Sequence, residues 1–168
     1  MFEPGRFVAE HIEPVTEEQV QPNGVDLTLE TVYEQVEPGQ IRRDGKRVGE
    51  RRELNAEDGT FVLGPGGYIA RYGETVSIPP GHVGFIFPRS SLMRNSCMLN
   101  TAVWDAGYVG RGEGLLQVFH EIEIEAGARI AQMVYAQAEH SGAYEGTYQG
   151  ENLDDSAPEI AAEDEGAE

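Results

Sequence analysis

The chain has 168 residues, with 30 acids against 12 bases and a net charge of −18, a size that suits one domain with an appended tail. So acidic a surface repels nucleic-acid backbone and anionic membrane alike, and no apolar run reaches the ~18 residues a membrane-spanning helix needs. A single cysteine, Cys97, excludes an internal disulfide and a cysteine-built zinc site.

The opening stretch Met1–Arg6 carries no apolar signal-peptide core, so a cytoplasmic location is expected. Only Lys46 among the cations is a lysine; the other 11 are arginines. Acid excess with almost no lysine reads as adaptation to a salty cytoplasm, where screening makes so large a charge tolerable. The four histidines are scattered, with no metal-ligand spacing.

In chain order, the segment from Arg42 to Arg52 holds six of the 12 cations around Asp44-Gly45, a two-residue hairpin signal. It reads as a solvated hairpin offsetting nearby acid, in preference to a phosphate or RNA patch. Gly64-Pro65-Gly66-Gly67 predicts a turn; no Gly-Lys-Ser/Thr ending follows, so it is not a phosphate loop. Pro79-Pro80-Gly81, Asp105-Ala106-Gly107 and Glu125-Ala126-Gly127 mark further turns. Between these signals lie β-rich runs over Tyr68–Tyr72, Val83–Phe87, Leu115–Phe119 and Arg129–Tyr135, with one short helix expected over Ser90–Asn95. Short strands at turn-delimited spacing predict an all-β sandwich or barrel. Residues 151–168 carry eight acids, no base and no aromatic, a composition that cannot repay the entropy of ordering. The expected organisation is therefore a folded domain over 1–150 and an acidic tail over 151–168. The folded part keeps 22 acids against 12 bases.

Two segments carry candidate chemistry. Arg89 and Arg94 bracket Ser90 and Ser91, offering guanidinium forks and hydroxyls to a phosphate; the same residues also make an ordinary capped helix start with an ion pair. Asp105 sits between an apolar stretch and a glycine turn. It is either a turn residue or a general base for an attacking water, and spacing alone leaves both open. Cys97 beside Met98 reads as an apolar filler, since no neighbouring cation favours a thiolate.

Arg89-Ser90-Ser91, then Trp104-Asp105-Ala106-Gly107-Tyr108-Val109-Gly110, then Gly127-Ala128-Arg129-Ile130-Ala131-Gln132-Met133 resemble, in order and separation, motifs of the trimeric dUTPase and dCTP deaminase superfamily. Pro22-Asn23-Gly24-Val25-Asp26-Leu27-Thr28-Leu29 fits the first motif, and Tyr144–Gly150 resembles the C-terminal segment of the deaminase branch. The nearest likeness is to archaeal dUTPases, whose salt-loving members share this charge pattern.

The resemblance implies a distorted jelly roll with little helix (the dUTPase-like β-clip), assembled as a homotrimer with active sites between chains. It implies that Arg89, Ser90, Ser91, Arg94 and Gln132 hold the triphosphate. Ala102, Val103, Trp104, Tyr108 and Gln117 would surround the nucleoside, with core packing an equal prospect for Trp104. Asp105 would activate the water that attacks the α-phosphorus, and Tyr144, Tyr148 and Gln149 would close as a lid. No residue ligates a metal directly; Mg²⁺ arrives on the substrate phosphates, with Asp26 reaching it through water. The implied partners are dUTP and two further copies of the chain.

Within that superfamily, deamination needs a titratable shuttle, supplied by a glutamate on the strand after the aspartate hairpin. Here that strand reads Leu115-Leu116-Gln117-Val118, and an amide cannot exchange a proton in that role. The sequence thus predicts dUTP hydrolysis to dUMP and pyrophosphate, ahead of dCTP deamination or a non-catalytic nucleotide-binding module. Glu113 is expected to face solvent from a glycine-rich turn.

Overall fold

The structure, a computed structural model, describes residues 1–153. A short helix α1 (Gly5–Ala9) leads to β1 (Ile12–Glu13), a 3-10 turn over Glu17–Gln19 and β2 (Val20–Gln21). Then come the long β3 (Gly24–Gln35), β4 (Gln40–Ile41), β5 (Lys46–Arg47) and β6 (Arg51–Glu53). β7 (Thr60–Leu63), β8 (Gly66–Tyr72), β9 (Thr75–Ser77) and β10 (His82–Pro88) precede a second short helix, α2 (Ser90–Arg94). The chain closes with β11 (Cys97–Asn100), β12 (Val109–Gly110), β13 (Glu113–Val118), β14 (Ile122–Glu125) and β15 (Arg129–Gln137). The expected all-β class, with little helix, is what the chain forms. None of the helices among the described residues is long and apolar enough to cross a membrane.

The architecture turns on β3. Its first half pairs antiparallel with β15 and its second half with β8, so one sheet runs β10-β15-β3-β8-β13-β11. Register shifts between Arg129 and Ala131 and between Leu29 and Thr31 fall at the hand-over, and such irregularities bend a strand. The sheet curls there into a distorted jelly roll around one core. Val25, Leu27 and Leu29 are fully buried at alternate positions, with Tyr72, Leu116, Met133 and Tyr135 in the same cluster. Asp26 and Thr28 alternate with them on the opposite face.

The predicted strands and helix appear with shifted limits. The turn expected over Gly64–Gly67 ends early: Gly66 and Gly67 already pair with Val118 and Gln117. Conversely β13 starts at Glu113, opposite Arg71, which draws that glutamate out of the expected turn. The Asp44-Gly45 hairpin forms, with Ile41 opposite Lys46. Arg47, Arg51 and Arg52 pair with Glu37, Glu113 and Glu34, which fits the charge-offsetting reading of this segment. Of the tail expected over 151–168, residues 154–168 lie outside the described residues. Glu151 and Asn152 bond to the body of the protein.

Trp104 belongs to this core. It is buried, exchanges backbone hydrogen bonds with Gly84, and lies edge-on to Tyr108 with centroids 4.8 Å apart. Gly112 makes room for its ring: a Cβ there would stand 2.1 Å from Trp104 Cη2. Gly112→Ala is therefore expected to overpack the hairpin base and lower stability by about 1–3 kcal/mol, with a change in tryptophan emission, measured by denaturant unfolding in molar KCl.

Candidate active site

Asp26 occupies the face of β3 that turns towards β15 and the start of α2. Its carboxylate is almost wholly buried, and Oδ2 meets Arg89 Nε at 3.2 Å and Arg129 Nη1 at 3.5 Å. Burial pushes the Asp26 carboxyl upward, while Arg89 and then Arg129 pull it back. A buried carboxylate is tolerated only with such partners. Arg89 is fixed further by its backbone N–H donating to Ile130 O at 2.9 Å. Gln132 stands opposite Asp26 in the β3–β15 register. The structure thus brings Arg89, Asp26 and Gln132 together.

Asp26 is 2% exposed, with Oδ2 turned to the two guanidiniums. The contact fixes the direction of the Arg89 side chain. Arg129, which sequence reasoning left without a role, completes the pair; its place in the Gly127–Met133 motif was the available signal. Ser90 and Ser91 begin α2 with exposed side chains, and Arg94 ends it, also exposed. Among the described residues Arg94 has no ion-pair partner.

The second cluster is the loop from Thr101 to Tyr108. Asp105 and Gly107 bracket a tight turn in which Tyr108 N–H donates to Asp105 O at 3.2 Å. Gly107 takes a φ of +90°, which disfavours any side chain. This turn pushes the Asp105 side chain outward, where it is exposed beside exposed Ala102 and Val103. Tyr108 points inward against Trp104 and Tyr144.

The C-terminal segment clasps this loop from the same chain. Tyr144 N–H donates to Ala106 O at 2.7 Å and Gly150 N–H to Val109 O at 2.8 Å. The Gln149 amide bridges the turn, donating to Gly107 O at 2.9 Å and accepting from Val109 N–H at 3.1 Å. Tyr108 donates its hydroxyl to Glu151 Oε1 at 2.7 Å, and Arg111 N–H donates to Glu151 O at 2.9 Å. Of the expected lid residues, Tyr144 and Gln149 therefore touch the turn at Ala106–Val109. Tyr148 instead lies over the β4–β5 hairpin, with Lys46 Nζ 4.9 Å from its ring centroid.

Gln117 lies on the outer face of β13, where Asn100 Nδ2 donates to its Oε1 at 2.8 Å. Glu113 shares that face but does not look into solvent as expected. Both of its oxygens are held, one by Arg51 and one by Arg71, and its side chain is 16% exposed. Two arginines flanking it across the strand outweigh the turn-like glycines around it. Among the described residues no group of three or more His, Cys, Asp or Glu converges to hold a metal ion.

A family model described as dCTP deaminase-like matches residues 6–138. The chain belongs to that family. A probable deoxyuridine 5'-triphosphate nucleotidohydrolase of Halobacterium salinarum is 56% identical over 92% of this chain and 97% of its own length. One from Aeropyrum pernix is 46% identical over 80% of this chain and 87% of its own length. The deoxyuridine 5'-triphosphate nucleotidohydrolase of Methanocaldococcus jannaschii is 39% identical over 80% and 89%. Among solved structures, the 2'-deoxycytidine 5'-triphosphate deaminase of Agrobacterium tumefaciens superposes with a TM-score of 0.61 at 20% identity, covering 82% of this chain. This chain spans about half the length of that deaminase (48%), and the likeness is one of fold.

The clasp carries a pH dependence. Burial raises the Glu151 carboxyl above its ordinary range, partly offset by the Tyr108 hydroxyl; Glu113 adds to the rise, while Arg71 and Arg51 oppose it. The docked state therefore binds the proton more tightly than the undocked one. Docking is fully favoured below the free-glutamate pKa of ~4.3 and weakens as pH rises from there through the raised value. Amide hydrogen-exchange protection at Gly150 and Arg111 should fall across that window, and Glu151→Gln should flatten the profile; an unchanged profile in the variant would assign the pH dependence elsewhere.

Proposed function

We propose that this chain is a dUTP pyrophosphohydrolase, converting dUTP and water to dUMP and pyrophosphate and so supplying the dTMP precursor. The observation that carries the reading is on β13: an amide, Gln117, stands where deamination needs a proton shuttle, and the nearby Glu113 has both oxygens bound to arginines. The names of the archaeal relatives point the same way.

In the proposed reaction the triphosphate lies along Arg89, Ser90, Ser91, Arg94 and Gln132, with charge-assisted bonds from the guanidiniums. The nucleoside sits in the hairpin of Ala102, Val103 and Tyr108, above the buried Trp104 and beside Gln117. Asp105 takes a proton from a water whose oxygen bonds to the α-phosphorus; the bridge oxygen to the β-phosphorus departs with pyrophosphate. Asp26, whose Oδ2 is held by arginines, would reach the metal only through water. Mg²⁺ enters as part of the Mg–dUTP substrate, neutralising charge that the acidic protein would otherwise repel.

We also propose a homotrimer. Asp105 and the Ser90–Ser91 hydroxyls are exposed on a single chain, as groups completed by a neighbour would be. Phe87, Met93, Val103 and Phe119 are each more than half exposed, large apolar side chains of the kind that subunit contacts cover.

A substrate panel in molar KCl with Mg²⁺, scored for pyrophosphate and ammonia, should give pyrophosphate from dUTP and no ammonia from dCTP. Ammonia release would move the chain to the deaminase branch. Asp105→Asn should lower kcat by roughly a hundredfold or more while dUTP binding persists; near-normal turnover would remove Asp105 as the base.

A further inference from the structure

Among the described residues the Asp105 side chain has no hydrogen-bond or ion-pair partner, so its direction comes from the backbone of the turn that carries it. That turn is pinned from two sides. From the core, the buried Ile78 donates its N–H to Tyr108 O at 2.9 Å and accepts from Gly107 N–H at 2.8 Å. From the outer side, the Gln149 amide donates to Gly107 O at 2.9 Å and accepts from Val109 N–H at 3.1 Å. Both of its partners have fixed polarity, since a backbone carbonyl only accepts and a backbone N–H only donates. A half-turn of the amide would set acceptor against acceptor and donor against donor, so its orientation is determined. The root of the side chain is anchored too: Gln149 N–H donates to Gly146 O at 3.2 Å, and the next residue, Gly150, donates to Val109 O at 2.8 Å.

The bond to Gly107 O matters most, because of what the same peptide does at its other end. Gly107 sits at a φ of +90°, and a glycine has no side chain to resist rotation about its own backbone. The peptide unit joining Gly107 to Tyr108 is planar and stiff. Gln149 holds its carbonyl, and its N–H donates to Asp105 O at 3.2 Å. Holding one end therefore aims the other. With the Gln149 amide removed, the Gly107 carbonyl turns to water, the N–H swings with it, and the backbone of Asp105 loses its tether. The clasp's backbone bonds, from Tyr144 to Ala106 O and from Gly150 to Val109 O, bypass this peptide.

We propose that Gln149 is a positioning residue for Asp105: by fixing the Gly107–Tyr108 peptide it aims the carboxylate at the attacking water. The inference rests on the reading above that Asp105 takes the proton from that water. A base on an exposed turn gains rate only if it is held near the line of attack before the substrate arrives. Asp105 has no side-chain partner to hold it, so the restraint has to come through the main chain, and the Gln149 amide supplies it from outside the turn as Ile78 does from inside. Gln149 thereby acts on the proton transfer without touching the nucleotide. This differs from a lid, whose residues close on the substrate and whose loss shows as weaker binding.

The test is a double-mutant cycle on dUTP hydrolysis in molar KCl with Mg²⁺, using Gln149→Ala and Gln149→Met in the wild type and in Asp105→Asn. Methionine keeps the bulk of the side chain and lacks the donor. Both substitutions should lower kcat by roughly tenfold or more while KM stays within about twofold. In the Asp105→Asn background, followed by single-turnover kinetics, the same substitutions should change the residual rate by less than about twofold, because the group they position is already disabled. A merely structural role would slow both backgrounds by the same factor, and that result overturns the inference. So does a rise in KM with kcat unchanged, which would make Gln149 a lid residue, or near-normal kcat in Gln149→Met. Absence of dUTP hydrolysis by the wild type, or near-normal turnover by Asp105→Asn alone, overturns the reading beneath it instead.

Discussion

One buried carboxylate organises the catalytic end of this molecule. Asp26 sits in the middle of the sheet with almost no solvent, which a charge tolerates only when partners replace the lost water. Arg89 and Arg129 are those partners, one at the end of β10 before α2 and the other at the start of β15. The pairing ties two chain segments to β3 and fixes the stem of the arginine that leads the Arg89-Ser90-Ser91 run. In a chain of net charge −18 most cations have a structural acid to answer: Arg51 and Arg71 hold Glu113, and Arg111 holds Glu30. Arg94 stays exposed and unpaired among the described residues, so the local positive charge beside Ser90 and Ser91 stands out against a negative background.

The hairpin is built on a different principle. Trp104 and Tyr108 anchor it by aromatic burial, Gly107 lets the chain reverse, and Asp105 is carried at the tip. The C-terminal clasp then satisfies the turn's own backbone groups through Tyr144, Gln149 and Gly150. Exposed hydrogen bonds of this sort open more readily than those of a buried sheet. A segment that holds the turn and also titrates through Glu151 loosens its hold as pH rises.

Much of the fold was legible because its signals are local. Glycine and proline turns delimit β-rich runs, and α2 follows its Pro88-Arg89 start. The grouping of Arg89, Asp26 and Gln132 was legible through motif order. What escaped depends on register. Glu113 reads as a turn residue until β8 sets Arg71 opposite it, and Gly66-Gly67 reads as a turn until β13 pairs with it. The Asn100–Gln117 bond joins residues 17 apart that meet only once β11 and β13 align. The surroundings of Asp26 escaped for a related reason: they come from two arginines distant in sequence.

The account's central claim is that water attacks the α-phosphorus under the control of Asp105. Hydrolysis of dUTP in ¹⁸O-labelled water tests this directly by mass spectrometry of the products. One ¹⁸O atom should appear in dUMP and none in pyrophosphate; label in the pyrophosphate would place the attack on the β-phosphorus and contradict the account.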